Sequence, residues 1–167
     1  MLVAIGDTHE TAGHALEGAV LEAVRAADLV VHTGDFTTEA VYDALAAEAD
    51  DLVAVAGNND RPGLCERVPE TRTFDALGRR FVALHGHGTD DTARSLLARQ
   101  EGADVVLVGH SHRPTIRPLG EATLVNPGSY ADPRWNEAAF AVLEGSGGDL
   151  AARLVTPEGA TLRRERV

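Results

Sequence analysis

The stretch Leu2-Val3-Ala4-Ile5-Gly6-Asp7-Thr8-His9 decides the fold. Its unbroken apolar start reads as a strand buried on both faces, as in sheets covered by helices, and the polar Asp-Thr-His follows directly. After a loop, Ala15, Leu16, Ala19, Val20, Ala23 and Val24 recur at helical spacing and predict a helix from about Gly13 to Ala26. Leu29 to His32 is a second apolar strand, and it too runs into a Gly-Asp pair, Gly34-Asp35. A helix from about Thr38 to Ala49 and a third strand from Leu52 to Val55 complete a βαβαβ series. That order predicts neighbouring parallel strands joined by right-handed crossovers.

Further along the chain the pattern changes. Arg72 to Leu77 and Arg79 to Leu84 read as two strands joined at Gly78, followed by a helix from about Asp90 to Glu101 and a strand from Asp104 to Val108. Beyond Pro114 the chain is strand-rich: Thr115 to Leu119, Ala122 to Val125, Ala138 to Glu144, Leu150 to Thr156 and Ala160 to Arg166. Turns at Gly120, Gly145-Ser146-Gly147-Gly148 and Gly159 separate these runs. An α/β first part with a β-rich second part predicts two mixed sheets face to face, flanked by helices. The 167 residues carry no internal repeat or linker and are expected to form a single domain, 1–167.

Composition narrows the function classes. Hydrophobic residues make up 44% and charged residues 25%, ordinary for a globular protein, and no apolar run is long enough to span a membrane. The N-terminus has no secretory signal pattern, and Cys65 stands alone, so the expected location is cytoplasmic. The net charge is −11, and all fifteen basic residues are Arg. Such an acidic chain repels polyanions, so a nucleic-acid partner is not expected. Excess acid without Lys also resembles proteins adapted to salt.

The polar residues with chemistry in them follow the strands. Asp7 and His9 come after the first, Asp35 after the second and Asn58 after the third; His85 and His87 follow Val82-Ala83-Leu84, and His110 and His112 follow Val105 to Val108. Ligands of open α/β sheets bind outside the carboxyl ends of the strands, so these loops should converge. Five of the seven histidines lie there, with two Asp and an Asn, a nitrogen–oxygen donor mix suited to Mn, Fe, Zn or Ni. Read singly, each piece is equally a turn or a cap: Asn58-Asn59 could be an Asx-turn and Asn126-Pro127-Gly128-Ser129 a plain β-turn. His14 is expected on a helix face and His32 inside a strand, both structural, and Cys65 as a small, partly buried hydrophobe.

The series Gly6-Asp7-Thr8-His9, Gly34-Asp35, Gly57-Asn58-Asn59-Asp60, His85-Gly86-His87, Gly109-His110-Ser111-His112 and Asn126-Pro127-Gly128-Ser129 resembles the calcineurin-like metallophosphoesterases, specifically their compact bacterial and archaeal phosphodiesterase branch. The resemblance implies a four-layer α/β/β/α sandwich. It also implies two divalent cations, Mn²⁺ foremost with Fe, Zn, Ni or Co as alternatives. Asp7, His9 and His112 would hold one, Asn58, His85 and His110 the second, and Asp35 would bridge them. Two such ions, about 3.5–4 Å apart, would generate a hydroxide for in-line attack on a small phosphoester substrate. Members of this branch often form dimers or tetramers, so the resemblance adds a homo-oligomer (dimer or tetramer) to the open possibilities.

One position departs from the wider family. Many relatives carry a His after the ligand Asn to protonate the leaving group; here Asn59 stands there and cannot. His87 is either its substitute or an outer support of the cage. Asn59, Ser129 and Arg134 are candidates for touching substrate, and Asp60, without its usual partner, is expected to cap a turn. The leading expectation is a phosphodiesterase. The alternatives are a phosphomonoesterase, a nuclease, which the charge disfavours, and a non-catalytic scaffold, since the small retromer subunit resembles this branch and acts through protein contacts.

Overall fold

The computed structural model describes residues 1–167. A six-stranded sheet contains, in chain order, β1 (Leu2–Ile5), β2 (Leu29–His32), β3 (Leu52–Ala54), and later β9 (Phe140–Glu144), β10 (Ala151–Val155) and β11 (Thr161–Arg166). Its spatial order is β11-β10-β9-β1-β2-β3. β1, β2 and β3 are parallel, as the βαβαβ pattern requires, and the C-terminal strands add on antiparallel. The five-stranded sheet runs β4-β5-β6-β8-β7, built from β4 (Thr71–Ala76), β5 (Arg79–Leu84), β6 (Val105–Val108), β7 (Thr115–Leu119) and β8 (Ala122–Asn126). It is parallel at its centre and antiparallel at both edges.

Alternation along single strands builds the layers, because successive side chains of a strand point to opposite faces. In β1, Val3 and Ile5 pack under helices α1 (Gly18–Ala26), α2 (Glu39–Ala46) and α3 (Pro62–Arg67), whereas Leu2 and Ala4 face the other sheet. In β6, Val105 and Leu107 join that inter-sheet core, while Val106 and Val108 lie under α4 (Asp91–Glu101). Three apolar cores thus separate four layers, helix, sheet, sheet, helix, and the sandwich expected from the sequence is the one observed. No helix is long and apolar enough to cross a membrane.

Local boundaries differ where tertiary contacts override periodicity. The first helix begins at Gly18, not near Gly13, so His14 lies in a loop. That loop is claimed by distant partners: Thr38 Oγ1 donates to the Thr11 carbonyl, Tyr130 Oη donates to the His14 carbonyl, and His14 Nδ1 accepts from Leu16 N–H. Helix α3 spans only six residues, too few to show a periodicity, and starts with Pro62 at a position where a missing N–H costs nothing. It carries Cys65 on its outer side, exposed and not partly buried as expected. The β4–β5 hairpin turns through Leu77 and Gly78, both at positive φ (53° and 69°), the backbone twist that tight hairpins need.

Candidate metal centre

Parallel pairing puts the carboxyl ends of β1, β2 and β3 side by side, with Ile5 opposite His32 and His32 opposite Ala54. The ladder continues into the loops: Asp7 N–H donates to the Gly34 carbonyl (3.0 Å) and His9 N–H to the Asp35 carbonyl (3.1 Å). β5 and β6 end together in the other sheet, Leu84 opposite Val108. The His85 ring crosses between the sheets, its Nδ1 2.8 Å from the Thr33 carbonyl.

All seven candidate ligands converge there. Asp35 Oδ2 lies 3.4 Å from His9 Nε2 and 3.2 Å from His85 Nε2, so one carboxylate oxygen stands between the two halves of the cluster. Asp7 Oδ1 lies 3.5 Å from His112 Nε2 and 4.0 Å from both His9 and His85. Donor atoms of Asp7, His9 and His112, and of Asp7, Asp35 and His85, come close enough together to surround a cation. Asn58 Oδ1 is 3.1 Å from His85 Nε2, and the His110 ring centre is 5.2 Å from that of His85. Asp7, Asp35, His85 and His112 are buried, while Asn58 and His110 are exposed and line the open side.

The chemistry of these donors calls for positive charge. A neutral imidazole has one N–H and one lone pair. His85 uses its Nδ1–H on the Thr33 carbonyl and His112 uses its own on the Asp132 carbonyl, which leaves both Nε2 lone pairs aimed inward. The lone pair of His85 then faces Asp35 Oδ2 and Asn58 Oδ1, and that of His112 faces Asp7 Oδ1 and His9 Nε2 (3.2 Å). Lone pairs this close repel unless a proton or a metal cation sits among them. Asp7 Oδ2, fully buried, has no hydrogen-bond partner at all, a condition that natural interiors seldom tolerate. The donor set therefore fits divalent cations.

Titration follows the same logic. Burial pushes the Asp7 carboxyl up to about 7, against the pull of His85. Asp35 is also desolvated, but the closeness of His85 and the hydrogen bonds from Asn59 outweigh this and hold its carboxyl well below the usual range. Burial lowers His85, yet the Asp35 carboxylate more than compensates and raises it. Burial lowers His110 and His112.

Backbone conformation marks the same residues. Asp7, His9, Asp35, His110 and His112 all have positive φ, between 52° and 69°. Left-handed backbone is uncommon outside glycine and collects at functional sites, where the surrounding structure must hold it. The Asp35 turn fits only because glycines surround it: a Cβ on Gly57 would come within 2.1 Å of Asp35 Oδ1.

The other expected site residues separate. His87 is exposed, its ring centre 5.5 Å from that of His85 and 6.3 Å from that of His110, at the rim. Arg134 is about half exposed, pairs with Asp132 (3.6 Å), and is near enough to lower Asp7, His110 and His112. Ser129 is a correction. It is wholly buried, its Oγ donating to the Asp7 carbonyl and accepting from Asp132 N–H, both 2.8 Å, so it supports the cage from beneath and cannot meet substrate. Asn59 is likewise engaged: its backbone N–H and its side-chain amide both donate to Asp35 (2.8 and 2.7 Å).

Two residues contribute more than the sequence reading gave them. The Asp60 carboxylate accepts from the N–H groups of Asp35, Thr37 and Gly57, stapling the second and third loops together, more than the local cap expected of it. Arg94 grips the carbonyls of Gly86 and Thr89 and so holds the His85–His87 loop. Asp60 was within reach as an acid next to Asn58-Asn59; Arg94, on a helix, carried no local signal.

Comparison with known proteins identifies the family and the fold. Residues 1–148 match the family model for the calcineurin-like phosphoesterase superfamily domain. The chain is 34% identical over 155 residues to a probable metallophosphoesterase of Methanothermobacter thermautotrophicus, covering 90% of this chain and 89% of the relative. Its fold is similar to zinc-complexed Vps29 of Entamoeba histolytica (TM-score 0.77, 24% identity, 99% of this chain and 97% of that one). It is also similar to the phosphoesterase YfcE of E. coli (TM-score 0.73, 20% identity, 99% and 98%).

Proposed function

The chain belongs to the calcineurin-like phosphoesterase superfamily, and we propose that within it this protein is a divalent-metal phosphodiesterase acting on small phosphodiesters. The observation that carries the metal part of the reading is the inward aim of the His85 and His112 lone pairs at carboxylate oxygens, with Asp7 Oδ2 buried and unpartnered beside them. Asp7, His9 and His112 would hold one cation, Asn58, His85 and His110 the other, and Asp35 both, with Mn²⁺ the first choice. When bound, such ions supply Lewis acidity toward phosphoryl oxygens and lower the pKa of water.

The chain's own residues do the rest. Asp60 and Asn59 hold Asp35 in one orientation, and the carbonyls of Thr33 and Asp132 hold His85 and His112 in one tautomer. Arg134, a planar fork of donors near the exposed side, can neutralise a substrate phosphate oxygen. Asn59 brings no proton, and its amide is taken by Asp35, so general-acid help of roughly 100- to 10,000-fold falls to His87 at the rim or is absent. Esters with good leaving groups are therefore the expected substrates.

With Mn²⁺ the purified protein should hydrolyse bis(p-nitrophenyl) phosphate, chelation should stop it, and Asp35→Ala or His110→Ala should reduce it to background. Full activity in either variant would overturn the assignment. The likeness to Vps29 supports a second reading, a protein-binding scaffold of the same fold. That reading expects a tight stoichiometric protein partner and no turnover, whether or not metal is bound.

A further inference from the structure

His32 ends β2, is completely buried, and stacks on Phe36 with ring centres 3.5 Å apart. A buried histidine with no catalytic contact is usually packing. Both of its ring nitrogens, however, are committed to the loops that carry the candidate ligands. Gly34 N–H donates to Nδ1 (3.2 Å), and Nε2 lies 2.9 Å from Thr8 Oγ1.

Donor arithmetic sets every proton along this path. Because Nδ1 accepts, the neutral ring carries its hydrogen on Nε2 and donates it to Thr8 Oγ1. Tyr130 Oη spends its single hydrogen on the His14 carbonyl (2.5 Å), so at its 3.2 Å contact with Thr8 it accepts. The one hydrogen of Thr8 therefore points at Tyr130. The result is a one-directional chain: Gly34 N–H to His32, His32 to Thr8, Thr8 to Tyr130, Tyr130 to the carbonyl of His14. Burial keeps His32 neutral and Tyr130 protonated, as the chain needs.

The chain reaches three loops. Thr8 lies between Asp7 and His9, Gly34 precedes Asp35, and Tyr130 follows Ser129, whose hydroxyl links the Asp7 carbonyl to Asp132 N–H. Asp132 in turn holds His112 through its carbonyl. We propose that His32, Thr8 and Tyr130 are positioning residues that lock the Asp7–His9, Asp35 and His112 loops into the geometry that receives cations. This rests on the metal-centre reading above.

Thr8→Val removes the hydroxyl while keeping the shape, and Thr8→Ser keeps the hydroxyl. Mn²⁺ binding by calorimetry, with electron paramagnetic resonance to see whether the ions occupy neighbouring sites, should show Thr8→Val weakened by roughly 10- to 100-fold, the usual effect of losing an outer partner of a metal site. Thr8→Ser should recover most of that loss. Tyr130→Phe, which removes the last link without shortening the ring, should weaken binding in the same direction and keeps the question open to test if Thr8→Val fails to fold. Folded Thr8→Val or Tyr130→Phe protein that binds Mn²⁺ as tightly as the wild type overturns the positioning role and leaves the metal centre standing. Wild-type protein that binds no Mn²⁺ overturns both.

Discussion

Asp7 is where burial and charge conflict most sharply. It is buried to 0% exposure, one oxygen accepts from His110 N–H (3.1 Å), and the other has no partner, so burial holds its carboxyl up at about 7 against an ordinary value of 3.8. A folded-state value above the unfolded one means that the unfolded chain releases this proton first as pH rises. Metal-free protein should therefore lose stability between about pH 4 and pH 7 through Asp7. His85, raised above 6.5 by Asp35, adds a loss in the same direction once pH passes that value. Thermal unfolding in chelator across this range should show the decline, and Asp7→Asn should flatten its Asp7 part. An unchanged pH profile in Asp7→Asn would contradict the account. Added Mn²⁺ should reverse the decline, because ligands bind metal only when deprotonated.

At the scale of elements, the site is a set of loops tied to one another by side-chain hydrogen bonds. Asp60 accepts three backbone N–H groups, two of them from the Asp35 loop, and neither loop supplies another side-chain acceptor for those groups. Asp60→Ala should destabilise by about 1–3 kcal/mol, the cost of stranding partly buried donors, and should weaken metal binding as Asp35 loosens. Urea unfolding and calorimetry measure the two effects separately. The polar residues at the carboxyl ends of β1, β2, β3, β5 and β6 were legible in the sequence because an apolar run followed by Asp, Asn or His is a local pattern. Ser129 was misread for the complementary reason: Asn126-Pro127-Gly128-Ser129 identifies a turn, but which side of the cage a turn lies on depends on strands far away in the chain. His14 left its expected helix because Tyr130, 116 residues distant, takes its carbonyl.

For the whole molecule, the two sheets are held by an apolar layer to which β1, β2, β5, β6, β9 and β10 all contribute. Leu107 lies in it, wholly buried at the centre of β6. Leu107→Ala should cost about 2–5 kcal/mol by urea unfolding, the range for emptying a packed core position. Leu96→Ala on the outer face of α4, where Leu96 is 45% exposed, should stay within about 0.5 kcal/mol. Similar losses at the two positions would mean that the sheets do not pack as described. Because β1 and β2 of one sheet and β5 and β6 of the other all end at the site, a loosened inter-sheet core should also relax the approach of His85 to Asp35.

By itself the sequence determined the order of the strands and of the longer helices, two facing sheets flanked by helices, and the polar residues at strand ends, since these follow from local periodicity and from what stands immediately after an apolar run; which seven of those residues would hold metal came from the family resemblance. Tertiary structure alone decided the rest: which way each imidazole lone pair points, that Asp7 Oδ2 is left bare, that Asn59 and Asp60 serve Asp35, and that His32 joins two loops. Each of these depends on hydrogen bonds between residues tens of positions apart. Protons follow the nearest partner in space, and a chain read one residue at a time does not say which partner that is.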